Sequence, residues 1–226
     1  MYFPEKMIHI NVGDKVLEIG PGASPHPRSD VLLEKDFGNG DEHARQCGGT
    51  PAALTDTRTV YYDGGAFPFG DGEFDYVICS HVIEHVPDVE FFCAEMFRVA
   101  QAGYLEFPLI YYDFVFNIPE HLNLCIQRDG TLIYAEKSHI FPPVLKPIQE
   151  FWYTALASGY TDTVSDLAPH LMQGFEWTSP FTVRKTDRIE DLLHDRQNIQ
   201  RKEPKPSLLI RVKRKFKQLW ATNGGL

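Results

Sequence analysis

The run Val16-Leu17-Glu18-Ile19-Gly20-Pro21-Gly22-Ala23 constrains the fold more than any other segment of this chain. An apolar stretch carrying one acid leads directly into two glycines at a spacing of two. That is the pattern of a buried parallel strand ending in a tight turn whose main chain approaches a ligand. Glycine suits such a turn because it accepts φ > 0 and has no Cβ to hold a ligand away. Many turns carry G-x-G, so the pair acquires meaning only in company.

Three further segments supply the company. Asp30-Val31-Leu32-Leu33-Glu34-Lys35-Asp36 reads as a second buried strand ending in acid, and Thr59-Val60-Tyr61-Tyr62-Asp63 as a third. Phe74-Asp75-Tyr76-Val77-Ile78-Cys79-Ser80-His81 is a fourth, running into Val82-Ile83-Glu84-His85-Val86. Pro87 and Asp88 then open a helix, in which Val89, Phe92, Cys93, Met96 and Phe97 form one apolar stripe. Ala102–Pro108 follows as a fifth strand. Strands alternating with helical segments define an α/β chain with a mostly parallel sheet.

Over residues 12–108 this ordered set resembles the class I S-adenosylmethionine-dependent methyltransferases, in particular the small group with Glu-His-Val after strand four. The resemblance implies a Rossmann-like sheet and S-adenosylmethionine as cofactor. It places Glu18 near the cofactor's ammonium and lets the main chain approach at Gly20 and Gly22. Glu34 would accept from the ribose hydroxyls, with Asp36 as the competing acid. Asp63 and Gly64 would meet the adenine, and Ser80 the methyl-donor side. One departure stands out. Between Gly22 and Val31 the family has a full helix, whereas Pro25 and Pro27 leave room only for a short irregular connection. Ser24, His26 and Arg28 are expected near the pocket.

Methyl transfer to oxygen also needs a group that takes the acceptor's proton, and histidine is the usual agent near neutral pH. His81, His121 and His139 are the catalytic candidates, with His85 and Glu106 as further possibilities. No His/Cys/Asp group has metal-ligand spacing, so no metal is expected. Glu84-His85 reads as a structural element at the helix start.

Residues 109–150 are expected to form an inserted cover on the substrate side. Asp129-Gly130 lies between two apolar runs as a hairpin signal. Pro142, Pro143 and Pro147 lead to a helix near residues 148–157, ended by Gly159. Gly174–Trp177 and Phe181–Val183 read as a last strand pair. The aromatic residues Tyr111, Tyr112, Phe114, Phe116, Trp152 and Tyr153 could line a pocket or form core.

Charge divides the chain. The net charge is −9, yet residues 201–226 carry eight Lys/Arg against one Glu, leaving the body at −16. An acidic body disfavours nucleic acid as partner, because phosphates demand clustered positive charge. The division of the chain is therefore a methyltransferase-like domain over 1–200 and a basic amphipathic tail over 201–226. Leu209, Val212, Phe216, Leu219 and Trp220 give that tail an apolar helical face, suited to an anionic membrane surface, to docking on the body or to dimerisation. No stretch reaches the ~18 apolar residues of a membrane span. Early Glu5, Lys6 and His9 do not read as a signal peptide, and four scattered cysteines fit a reducing, cytoplasmic setting.

The function expected from the sequence is methyl transfer from S-adenosylmethionine to a small-molecule or glycan-type acceptor, at oxygen. Two alternatives share the architecture. A nicotinamide-dependent oxidoreductase normally has a third glycine opening a helix, where this chain has Pro25 and Pro27. A non-catalytic methyltransferase-like binding module would keep the fold alone.

Overall fold

The computed structural model describes residues 1–36, 38, 56–140, 145–159 and 162–194, apart from the side chains of His139 and Thr163. In chain order the described elements are β1 (Val16–Ile19), β2 (Val31–Lys35), β3 (Arg58–Tyr62), β4 (Phe74–Ser80), α1 (Val89–Val99) and β5 (Ala100–Pro108). They continue as α2 (Ile110–Phe116), β6 (Asn123–Arg128), β7 (Thr131–Glu136), α3 (Lys146–Ala157), α4 (Asp162–Leu171), β8 (Met172–Trp177) and β9 (Thr182–Lys185). The basic tail and Cys47 lie outside the described residues. Residues 1–193 form one compact unit.

Six strands make the main sheet in the order β3-β2-β1-β4-β5-β8. All neighbours are parallel except β5 and β8, which are antiparallel. The fold is thus α/β and Rossmann-like, as expected. Central β1 is buried along its whole length, which explains its near-continuous apolar run. Strand alternation sends Val16, Tyr76, Ile78 and Tyr104 to one face, where Met7 and Ile10 of the N-terminal segment cover them. Leu17, Ile19, Val77 and Cys79 belong to the larger core, with Phe92, Cys93 and Met96 of α1.

Helix α1 begins where Asp88 accepts a hydrogen bond from the Phe91 amide at 2.9 Å, satisfying an otherwise orphaned donor. Its buried residues Val89, Phe92, Cys93, Met96 and Val99 hold it against the sheet. At roughly 1.5–3 kcal/mol per large apolar side chain, this burial outweighs the helix's intrinsic propensity. Cys79, Cys93 and Cys125 are buried free thiols.

A three-stranded sheet, β6-β7-β9, builds the second layer. β6 and β7 form the expected hairpin, with Asp129 and Gly130 at φ +49° and +73°, the left-handed pair that matches strand twist. The expected pairing of residues 174–177 with 181–183 is corrected. β8 joins the main sheet against β5, whereas β9 runs parallel to β7 in the second sheet. Pro180 lies in the bend between them, and Trp177 and Phe181 turn towards Phe97. Helix α3 tolerates Pro147 because it falls in the first turn, where its missing N–H costs nothing.

Candidate active site

The strand order reverses between β1 and β4, since β2 and β3 extend to one side and β5 to the other. In such sheets ligands bind outside the carboxyl ends of the strands at that reversal. A crevice of about 640 Å³ opens there, bordered by the ends of β1, β2, β3 and β4 and by the segments that follow them.

The turn after β1 is shaped by two glycines in left-handed conformation, Gly20 at φ +62° and Gly22 at φ +56°. The Gly20 amide donates to Leu33 O at 2.9 Å. A Cβ on Gly20 would stand 2.5 Å from Val82 Cγ2, so the turn packs against the segment after β4. A Cβ on Gly22 would meet nothing within 4 Å. Bare main chain therefore borders the crevice at this point.

No helix follows the turn. Residues 23–30 form successive turns, as the two prolines require. Glu18 organises them: its Oε2 accepts from the His26 amide at 2.7 Å and from Ser29 Oγ at 2.6 Å. Burial pushes the Glu18 pKa up, against the opposing pull of those two donors. Ser24 and His26 border the crevice, while Arg28 turns to the Asn11 carbonyl at 2.8 Å.

The two acids competing at the end of β2 separate. Glu34 is buried and borders the crevice, whereas Asp36 is exposed and borders a neighbouring hollow with Gly38 and Tyr61. Asp63 lies at the rim of both and accepts from the Gly65 amide at 2.8 Å through Oδ1. Gly64 lies beside it at φ +92°.

At the end of β4, Ser80 and His81 enter the crevice. His81 adopts φ +59°, a strained conformation for a residue with a side chain. It is held on several sides: its amide donates to Glu106 O at 2.9 Å, and Nε2 lies 3.0 Å from Glu106 Oε1. Its Nδ1 lies 3.4 Å from Glu84 Oε1. Burial alone would lower its pKa, but the hydrogen bond to Glu106 and the nearby negative charge of Glu84 carry it up to about 9. The two carboxylates thus favour the imidazolium form of His81.

Glu106 is fully buried, and its carboxylate gathers the Tyr2 and Phe3 amides, Ser80 Oγ, Tyr104 Oη and His81. Burial opposes its charge, yet His81 and Tyr104 bring its pKa down to about 2. This carboxylate fastens the N-terminal segment to the sheet, and Met1 and Pro4 consequently border the crevice. Sequence reasoning named Glu106 only as a proton acceptor; the strap across residues 1–4 had no signal in the sequence.

His121 is buried and does not border the crevice. Its Nδ1 donates to Asp113 Oδ2 at 2.7 Å, and Lys137 Nζ donates to Asp113 Oδ1 at 3.1 Å. His139 ends a short 3₁₀ turn after β7, and its side chain is outside the described residues. Folding brings Glu84, His85 and His121 together with potential ligand atoms within 4.8 Å of one another. The separation of His85 and His121 in sequence hid this grouping. None of the six aromatic candidates borders the crevice: Phe116 packs in a second core cluster, while Trp152 and Tyr153 are exposed.

A mostly parallel sheet with a glycine turn and strand-end acids around one crevice defines the chain as a Rossmann-like α/β protein. Residues 39–106 match the methyltransferase domain family. Uncharacterized methyltransferases of Mycobacterium sp. strains KMS and JLS are each 32% identical over 91 residues, 40% of this chain. The match spans only 36% of the length of those relatives. Over this part of its length the chain is similar to methyltransferases. Among solved structures, the YcgJ protein of Bacillus subtilis is 20% identical with a TM-score of 0.35, over 50% of this chain and 56% of that one. A Haloferax volcanii methyltransferase in complex with the Trm112 methyltransferase activator is 14% identical with a TM-score of 0.41, over 76% and 86%. Likenesses of this size bear on neither acceptor nor partner.

Proposed function

We propose that the chain transfers a methyl group from S-adenosylmethionine to a small-molecule or glycan-type acceptor, at oxygen. The observation that carries this reading is the convergence of Glu34, Asp63 and the bare Gly22 main chain on a single crevice at the sheet's reversal point. The residues present fit the cofactor. Gly20 and Gly22 allow the close approach, and Glu34 is placed for a ribose diol. Asp63 and Gly64 lie where an adenine edge would be read, and Ser80 closes the opposite wall. Glu18 supports the site through the 23–30 connection. Asp36 has no place in this assignment because it borders the other hollow.

The cofactor's sulfonium supplies an electrophilic methyl group when bound. This chain's residues then orient the reactants and exclude water, which is where enzymes of this chemistry gain rate. His81, as a cation fixed by Glu106, is suited to donating a hydrogen bond towards the acceptor. The acceptor's proton is left to His139 or to the group around Glu84, through His85 at the crevice edge; His121, expected as a base, is held off the crevice by Asp113. The acidic body favours a small or sugar-type acceptor over nucleic acid. No helix of the described residues is long and apolar enough to cross a membrane. Membrane contact would come from the basic tail over 201–226.

Calorimetry with S-adenosylhomocysteine tests the reading. Binding is expected for the wild type and weaker binding for Glu34→Ala and Asp63→Ala. Tight binding of NAD with no response to S-adenosylhomocysteine would overturn it.

A further inference from the structure

We propose that Glu84, His85 and His121 form a binding site for one first-row divalent cation of the zinc type. The three come from two places in the chain, the 3₁₀ turn Ile83–His85 after β4 and the approach to β6. Their potential ligand atoms all lie within 4.8 Å of one another. The two imidazoles meet edge-to-face with centroids 4.8 Å apart.

Hydrogen bonding fixes which nitrogen each ring presents. His85 Nδ1 donates to Glu120 O at 3.1 Å, and His121 Nδ1 donates to Asp113 Oδ2 at 2.7 Å. A carbonyl and a carboxylate can only accept, so both Nδ1 atoms carry hydrogen and both Nε2 atoms are left for coordination. Metal-bound histidines are oriented by this kind of outer partner. Asp113 is itself held by Lys137, which also donates to Ile118 O.

Glu84 supplies an independent observation. Its side chain is 1% exposed, and neither carboxylate oxygen has a hydrogen-bond partner among the described residues. His81 Nδ1 is near at 3.4 Å but without hydrogen-bond geometry, and its other nitrogen is committed to Glu106. The His81 charge at 3.4 Å offsets part of the cost of burying this carboxylate but leaves both oxygens without a donor, and a coordinated cation would supply the direct partner. Two imidazoles and one carboxylate favour zinc or iron(II) over magnesium or calcium, which prefer oxygen ligands. Three protein ligands leave further coordination positions open. His85 also borders the crevice. On the methyl-transfer reading, the ion would make a coordinated acceptor hydroxyl more acidic. The cation site itself does not depend on that reading.

The test uses the untagged full chain, stripped with chelator, dialysed and titrated with Zn²⁺ and Co²⁺. One Zn²⁺ per chain is expected, with a visible Co²⁺ absorption spectrum. X-ray absorption of the zinc form should show nitrogen and oxygen neighbours without sulfur. Glu84→Gln and His121→Gln should each abolish the Co²⁺ spectrum, and Asp113→Asn should weaken binding by about 10–100-fold. S-adenosylhomocysteine binding and circular dichroism, measured on the same samples, report separately on the cofactor crevice and on folding. Absence of stoichiometric binding, sulfur ligation, or unchanged binding in a folded Glu84→Gln/His121→Gln double variant would each overturn the proposal.

Discussion

Replacing Glu106 with glutamine should flatten the acid side of the stability profile. The Glu106 carboxylate is wholly buried, and its pKa falls from an ordinary 4.5 to about 2 in the fold. A depressed acid contributes stability that is fully present above its unfolded pKa. That stability is lost as pH falls through the folded value. At pH 3 the unfolded carboxyl is mostly protonated while the folded one remains ionised. The ratio of the two binding polynomials is then about 30, or ~2 kcal/mol of stability lost relative to neutral pH. With a urea dependence of ~2 kcal/mol per molar, the wild-type midpoint should fall by about 1 M more than that of Glu106→Gln between pH 6 and pH 3. The variant starts lower, because an amide cannot accept from all five donor groups. Only the change with pH is diagnostic, and comparing the two slopes removes the contribution of every other carboxylate. Urea unfolding followed by circular dichroism at several pH values provides the measurement. Parallel midpoint curves for the two proteins would refute the reasoning.

Gly20→Ala combines a positive φ with a Cβ 2.5 Å from Val82 Cγ2. It should cost about 1–3 kcal/mol, read as a lowered thermal midpoint, and Val82→Ala should restore part of the loss. In S-adenosylhomocysteine calorimetry, Glu34→Ala should weaken binding by about 10–100-fold, the size of one or two hydrogen bonds to a charged group, while Asp36→Ala should not. Arg98 donates to Phe67 O, Phe69 O, Asp71 and Glu95 and so fixes the loop before β4. Arg98→Met should lower stability by about 1–3 kcal/mol, measured by urea unfolding, without changing the cofactor crevice's affinity.

What the sequence disclosed follows from locality. The ends of β1 to β4 were legible because each pairs an apolar run with an acid or glycine a few residues away. Helix α1 was legible because its apolar stripe and its Asp88 cap are both local. The Asp129-Gly130 turn was legible for the same reason. What escaped depends on contacts between distant segments. Nothing near Gly174 or Phe181 reveals that one strand would join β5 and the other β7. Tyr2 and Glu106 meet although 104 residues apart in the chain. His85 and His121 become neighbours only when the turn after β4 packs beside the start of β6, where the Leu122 amide donates to Glu84 O at 2.7 Å.

The acids at the strand ends look alike in sequence, yet their hydrogen bonds divide them. Glu18 spends one oxygen on His26 N and Ser29 Oγ, so removing it would leave two donors in the 23–30 connection without an acceptor. That connection replaces a helix, and it has no regular backbone ladder to hold it in place. Glu18→Ala should therefore cost about 1–3 kcal/mol of stability. It should also increase amide hydrogen exchange across residues 23–30, the segment those bonds hold. If Glu18 served chiefly as a ligand contact, the same substitution would leave exchange unchanged and lower S-adenosylhomocysteine affinity alone. The predicted pattern is the reverse in kind: faster exchange first, with any loss of affinity following from a loosened wall. Unaltered exchange in Glu18→Ala would show that the prolines at 25 and 27 hold the connection without it.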